Sequence, residues 1–221
     1  MSKNVVITGA NRGIGLAMCM HFQDQGDNVF ALCRHSSAEL SALSVNIIEN
    51  IDVASDEGIV NMVCALADVN IDTLVCNAGI LRDESLSSLD LNTIREQFEV
   101  NALAPLRVVA SLREQLNKGG KVALITSRMG SISDNGSGGR YGYRMSKAAL
   151  NAAGMSLCHD LASQNIAVGI YHPGYVQTEM VNYGGDISAG DCARKLVGLI
   201  NHLTMADSGV FKHSNGSVLP W

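Results

Sequence analysis

Directly after the apolar run Val5-Val6-Ile7 the chain reads Thr8-Gly9-Ala10-Asn11-Arg12-Gly13-Ile14-Gly15, then enters a helical stretch over Ile14–Asp24. A strand, a glycine turn and a helix in that order leave few local structures open. Glycines let the backbone turn sharply and come close to a ligand, and the N–H groups and positive end of the helix then favour a pyrophosphate. The spacing Gly-x-x-x-Gly-x-Gly differs from the better-known Gly-x-Gly-x-x-Gly fingerprint. The same glycines would also serve a plain turn that packs a helix close on a strand. In this setting we assign Gly9, Asn11, Arg12, Gly13, Ile14 and Gly15 to a phosphate cradle.

The rest of the chain repeats the theme. Continuous apolar runs, as expected of strands covered on both faces, fall at Asn4–Ile7, Asn28–Leu32, Asn46–Ile51, Thr73–Cys76, Lys121–Thr126 and Ile166–Tyr171. Helical material fills the gaps at Ile14–Asp24, Asp56–Leu66, Asn92–Leu116, Arg144–Ser163 and Ala189–Leu203; only Ser36–Leu43 is lean, with two turns at most. This is an α/β pattern with a doubly wound parallel sheet and helices on both faces. Gly209–Lys212 and Ser217–Leu219 flank Asn215-Gly216 and predict a short terminal edge strand. With 221 residues, 47% hydrophobic and 17% charged, and no repeat or linker-like stretch, one domain over 1–221 is expected.

Charge and cysteine usage exclude whole classes. The formal charge is −5 and no stretch gathers Lys and Arg, so nucleic acid is not an expected partner. No window approaches the ~18 uncharged apolar residues of a membrane span. Val5-Val6-Ile7 is too short for the core of a secretion signal. Cys19, Cys33, Cys64, Cys76, Cys158 and Cys192 are scattered without zinc-ligand spacing and read as reduced thiols. A cytoplasmic protein without a membrane or metal site is expected.

Three further features carry chemistry. Tyr143 and Lys147 sit four residues apart at the start of a helix, on one face, where a nearby cation favours the phenolate and tunes the phenol for proton transfer. Tyr141 has Met145 at the same spacing and so no cation to tune it. Ser127 follows the fifth strand, at a carboxyl end where open α/β sheets bind ligands; it can meet a substrate oxygen or merely cap its own turn. The second strand ends in Arg34 rather than an acid. With Arg12 it suits a ribose 2′-phosphate, hence NADP(H) over NAD(H), although Arg34 also fits a solvated surface charge.

Thr8-x-x-x-Gly13-x-Gly15, Cys76-Asn77-Ala78-Gly79, Asn101, Ser127, Tyr143-x-x-x-Lys147 and Pro173-Gly174-Tyr175-Val176-Gln177-Thr178 follow one another over nearly the whole chain. Together they resemble the short-chain dehydrogenase/reductase family, with Ser131 through Asn151 and Leu219-Pro220-Trp221 most similar to its branch of sniffer-type carbonyl reductases and C-factor-like proteins. The resemblance implies a Rossmann-type fold and a catalytic set of Asn101, Ser127, Tyr143 and Lys147. In it Tyr143 protonates the carbonyl oxygen, Ser127 holds that oxygen, Lys147 lowers the Tyr143 pKa and binds the nicotinamide ribose, and Asn101 supports a water behind Lys147. It further implies that Asp52 and Val53 meet the adenine, Asn77, Ala78 and Gly79 line the adenine ribose, and Pro173, Gly174, Val176 and Thr178 hold the nicotinamide. The bland readings are turn chemistry for Asn77 and Gly79, a buried helix polar group for Asn101 and a strand stop for Pro173-Gly174.

The chain departs from the family pattern at Cys76, where a second Asn is usual, and in its short segment 179–190, which would cover the substrate. The stretch from Ser127 to Tyr143 is also long and rich in Gly and Ser. Met129, Leu81, Tyr141, Tyr175, Met180 and Tyr183 are expected around a partly apolar pocket. The expectation is an NADP(H)-dependent reductase of a small carbonyl compound, or dehydrogenase of the alcohol. An NADPH-binding sensor or signalling protein and an NAD-dependent alcohol dehydrogenase are the alternatives. Small residues Ala148, Ala149, Ala152, Ala153 and Gly154 suit either a homodimer contact or close packing on the sheet.

Overall fold

The computed structural model describes residues 2–221. Its strands are β1 (Asn4–Thr8), β2 (Asn28–Leu32), β3 (Asn46–Ile48), β4 (Ile71–Cys76), β5 (Leu116–Ile125), β6 (Ala167–His172), β7 (Val176–Gln177), β8 (Ile187–Ser188) and β9 (Phe211–His213). The helices are α1 (Gly13–Asp24), α2 (Ala38–Ser41), α3 (Asp56–Ala65), α4 (Leu91–Phe98), α5 (Ala104–Ser111), α6 (Tyr141–Leu161) and α7 (Ala189–His202). Seven strands pair in parallel in the order β3-β2-β1-β4-β5-β6-β9, and β7 and β8 form a separate two-stranded ribbon. This is the doubly wound α/β sheet expected from the sequence, with strand order reversing between β1 and β4.

Alternate residues of the strands feed two cores. Val6, Leu74, Val122 and Leu124 point to the side covered by α3, α5 and α6, where Met62, Val108, Val109, Leu150 and Leu157 meet them. Val5, Ile7, Val75 and Ala123 point to the other side, against Met18 and Phe22 of α1 and Leu196 and Ile200 of α7. Both faces being covered is what makes the strands apolar throughout. Side chains cap several helices: Ser37 for α2, Ser55 for α3, Asp90 for α4 and Ser188 for α7 each accept a hydrogen bond from a first-turn N–H.

Four boundaries differ by three residues or more from the sequence expectation, the first being the start of α6, at Tyr141 rather than Arg144. Instead of one helix over Asn92–Leu116, α4 and α5 are separated by a wide π-helical turn, Glu99–Leu103. Pro105 has no N–H to give the Asn101 carbonyl, so the regular ladder fails there. The chain then enters β5 at Leu116, not Lys121. Leu116 is buried opposite Ile71 and the register shifts over the next residues, where Asn117 Nδ2 donates to Asp72 Oδ1 at 2.7 Å. Finally, β3 stops at Ile48 rather than Ile51, because Asn50 adopts a left-handed backbone, φ 61°, and turns the chain. The terminal edge strand is present as β9, with Lys212 bridged to Val218 across the Asn215-Gly216 turn.

Gly154 lies against Ile170 and Leu124, so this one of the small residues of α6 serves packing on the sheet, whereas Ala152 faces outward. Leu74, in central β4, is fully buried. Leu74→Ala should cost ~2–5 kcal/mol of stability, read from the shift of the urea midpoint. A shift under ~1 kcal/mol would contradict the packing described.

Candidate active site

The carboxyl ends of β1 and β4 are clasped together. Thr8 Oγ1 accepts from the backbone N–H of Asn77 and of Ala78, both at 3.1 Å, and Asn77 Nδ2 donates to the carbonyls of Thr8 and Gly9, again at 3.1 Å. The clasp leaves no room for side chains in the turn. A Cβ on Gly9, whose φ is +65°, would stand 2.8 Å from Ala78 Cα, and one on Gly15 would stand 2.2 Å from the Gly9 carbonyl oxygen. At the start of α1, Arg12 is extended and contributes no side-chain cap, and the first turn holds no acid. The N-terminal N–H groups therefore have no side-chain cap, and the bare backbone beside them suits the pyrophosphate of a dinucleotide.

The other residues expected around such a ligand line the same edge of the sheet. Asn11 Nδ2 donates to the His35 carbonyl at 3.0 Å, tying the glycine turn to the end of β2. Arg34 is exposed there and has no ion-pair partner among the described residues. Arg12 differs from expectation, because its guanidinium pairs across the cleft with Glu179 instead of standing free beside Arg34. Asp52 accepts from the Ala54 N–H at 3.0 Å, fixing the turn that buries Val53. Ile14 packs against the core. Across the cleft, Gly13 faces the Thr178 methyl, from which a Cβ would lie 3.4 Å, in ordinary contact. The Pro173 carbonyl accepts from Ser214 Oγ at 2.7 Å, Gly174 takes φ +99°, and Val176 is held in β7 opposite Ile187.

Tyr143, Lys147, Ser127 and Asn101 converge past β5. Lys147 is almost fully buried; its Nζ donates to the Ile125 carbonyl at 2.9 Å and sits 5.8 Å from the Tyr143 ring centroid. Burial disfavours its charge and lowers its pKa to about 8. Ser127 Oγ accepts from the Met129 N–H at 3.1 Å, so the serine caps its own turn and keeps its proton to donate. Gly130 allows that turn to rest on α6, where a Cβ would stand 2.7 Å from the Lys147 carbonyl carbon. Asn101, in the π turn, is fully buried: its Nδ2 donates to the Ile80 carbonyl at 2.8 Å and to Ser146 Oγ at 3.1 Å, and its Oδ1 accepts from the Ile80 N–H at 2.8 Å. It fixes the Gly79-Ile80 segment in front of Lys147. The phenol differs from the sequence expectation, since burial raises the Tyr143 pKa; the Ser127 hydroxyl and the Arg140 charge oppose that rise. Lys147 donates to the Ile125 carbonyl and remains charged at neutral pH, so the rise at Tyr143 comes from burial, which a four-residue spacing does not report.

Several neighbours gave no signal in the sequence. His172, just before Pro173, packs edge-on to His213 with ring centroids 4.9 Å apart, and burial pushes its pKa down to about 3, so it is neutral. Glu84 is buried beside the start of α6. A cleft of about 470 Å³ opens beyond Met129, lined by Asp83, Ser85, Ser137, Gly139 and Arg140 among others. Tyr175, Met180 and Tyr183 are exposed. Cys76 is buried and its thiol is pushed up to about 12, consistent with packing rather than chemistry. Among the described residues, no three His, Cys, Asp or Glu side chains are grouped to hold a metal ion, and no helix is long and apolar enough to cross a membrane. Asn77→Ala removes the two of the four clasp hydrogen bonds that Asn77 Nδ2 donates and should cost ~1–3 kcal/mol in chemical denaturation; an unchanged midpoint would show that this half of the clasp contributes nothing.

Known proteins share this sequence and geometry. Residues 3–186 match the family model described as short chain dehydrogenase. A 1-hydroxy-2-glutathionyl-2-methyl-3-butene dehydrogenase of Rhodococcus sp. (strain AD45) is 37% identical over 98% of this chain and 99% of its own. The C-signal protein of Myxococcus xanthus is 39% identical over 68% of this chain and 93% of its own. Among solved structures, a carbonyl reductase from Pseudomonas aeruginosa PAO1 in complex with NADP matches with a TM-score of 0.85 at 30% identity, and the carbonyl reductase Sniffer of Drosophila melanogaster with 0.89 at 25%; each covers the whole of both chains. With its glycine turn, its Tyr143–Lys147 pair and these relatives, the chain belongs to the short-chain dehydrogenase/reductase family.

Proposed function

We propose that this oxidoreductase is an NADP(H)-dependent carbonyl reductase, acting reversibly on the corresponding alcohol. The observation that carries the reading is the gathering of Tyr143, Ser127 and Lys147 past the carboxyl end of β5, beside a bare glycine turn at the β1–β4 reversal. When bound, the nicotinamide supplies or takes the hydride. The backbone of Gly9–Gly15 would hold the pyrophosphate, Asp52, Val53, Asn77 and Ala78 the adenosine, and Pro173–Thr178 the nicotinamide. Preference for NADP(H) rests on exposed Arg34 where an acid would repel a 2′-phosphate, and the NADP complex of the Pseudomonas relative supports it.

The chain's own residues supply the proton chemistry. Ser127 donates a hydrogen bond to the substrate oxygen, its hydroxyl hydrogen being left available because its oxygen accepts from the Met129 N–H. Tyr143 stands protonated at neutral pH, the state a general acid requires, and gives its proton to that oxygen as the carbon is reduced. Lys147, charged below about pH 8, holds the ribose hydroxyls and stabilises the phenolate left behind. Segment 179–190 covers the substrate, and exposed Tyr175, Met180 and Tyr183 offer it an apolar surface. The Rhodococcus relative's glutathionyl substrate suggests that a compound with a polar tail can be accommodated, the tail lying in the cleft beyond Met129. Free thiols fit a cytoplasmic setting. Outward Ala152, with exposed Leu106 and Met145, fits a homodimer across α5 and α6.

NADPH oxidation followed by absorbance against a panel of small and bulky aldehydes and ketones tests the reading. Wild type should turn over members of the panel, and Tyr143→Phe should lower kcat by about 10²–10⁴ while still binding NADPH. Binding by both proteins without turnover by either would instead indicate a cofactor-binding protein.

The pH dependence follows from the two protonated groups. Lys147 has the lower pKa, so kcat/KM for reduction should hold below about pH 8 and fall as pH rises through that value. A profile flat to about pH 10 would contradict the role of the lysine charge.

A further inference from the structure

Tyr143 lies in the first turn of α6, the part of a helix most prone to fray, and Arg140, the residue before the helix, gives that turn no side-chain cap. The entry to the helix is awkward as well. Gly138, Gly139 and Arg140 follow one another with φ of 63°, 62° and 51°, and for Arg140 this left-handed conformation is strained. Something outside the helix has to hold the turn that carries the phenol.

That anchor comes from the loop after β4. Glu84 is 5% exposed, and its carboxylate is surrounded by donors. Oε2 accepts from the Gly142 N–H of α6 at 3.2 Å, while Oε1 accepts from Thr93 Oγ1 at 2.8 Å and from Gln97 Nε2 at 2.5 Å, both on α4. The Glu84 carbonyl accepts from the Arg140 N–H at 2.8 Å, and its neighbour Asp83 pairs with the Arg140 guanidinium at 2.5 Å. Gln97, itself fully buried, accepts from the Arg82 N–H at 2.9 Å and so locks the loop in place. The contact requires Gly142, because a Cβ there would stand 2.4 Å from Gln97 Nε2 and 3.0 Å from Glu84 Oε1.

We propose that Glu84 is a positioning residue for Tyr143: it supplies, from another loop, the cap that α6 lacks and thereby fixes the phenol against Ser127 and Lys147. The anionic oxygens face the positive end of the helix, an arrangement that strengthens the hydrogen bonds they accept. The effect on chemistry comes through distance, since misplacing a reacting group by about 1 Å can cost about 10²-fold in rate. Glu84 borders the cleft beyond Met129, but its carboxylate oxygens are taken up by Gly142, Thr93 and Gln97, and the inference rests on the reading of Tyr143 as the proton donor.

The test is a double-mutant cycle of Glu84→Gln and Tyr143→Phe, with kcat, KM and NADPH affinity measured on folded protein. A neutral amide has one oxygen, so it cannot accept from both Gly142 and the α4 donors. Alone, Glu84→Gln should lower kcat about 10- to 100-fold with NADPH affinity within about twofold of wild type; in the Tyr143→Phe background it should change kcat less than about twofold. An equal loss in both backgrounds, or no loss in wild type, overturns the proposal. Full activity in Tyr143→Phe would instead remove the proton-donor reading on which it rests. Should Glu84→Gln fail to fold, Thr93→Val removes one of its donors; kcat should then fall about threefold or more with NADPH affinity kept, and unchanged kcat overturns the proposal.

Discussion

The clasp between Thr8 and Asn77 is the constraint from which the rest of the site follows. In a parallel sheet the carboxyl ends of neighbouring strands leave together, and where the order reverses between β1 and β4 their connections diverge to opposite faces. The backbone pairing of β1 with β4 stops at Ile7 and Val75, so the groups just beyond it have no ladder partner. Thr8 Oγ1 and Asn77 Nδ2 instead satisfy four backbone groups across the gap and bring Gly9 onto Ala78. Everything that must be bare, close and polar for a dinucleotide is a consequence of that approach.

The chemical side depends on a second constraint, the burial of Lys147. An ammonium removed from water needs partners, and here one carbonyl and a phenol ring are its neighbours. Its charge is consequently weakly held, with a pKa of about 8, and the adjoining phenol keeps its proton. The phenol is therefore in its neutral, protonated form at neutral pH, the form that the proposed reduction requires. Asn101 and Gly130 hold the surrounding backbone at close range, the first through Ile80 and the second through the absence of a side chain.

Much of this was legible in the residues because the physics is local. Covered strands must be apolar throughout, so their runs stood out, and a cradle needs glycines next to a helix start. Pro105 carried the signal for the break that places Asn101 in a π turn, but helical periodicity on both sides of it hid the interruption. What sequence reading missed depends on contacts between distant segments. Arg12 meets Glu179 from the far side of the cleft. Glu84 sits in the polar stretch Arg82-Asp83-Glu84-Ser85, which reads as solvated loop until α4 and α6 close over it. The pKa of Tyr143 likewise follows from burial, which a four-residue spacing does not report.

The central claim is that this cleft joins a nicotinamide to a carbonyl carbon. Reduction of a carbonyl substrate with NADPH stereospecifically deuterated at the transferred position of C4, followed by mass spectrometry of the alcohol, tests it most directly. One deuterium should appear on the carbinol carbon of the product, and none when the other C4 position carries the label. Tight NADPH binding with no labelled alcohol from either cofactor would contradict it.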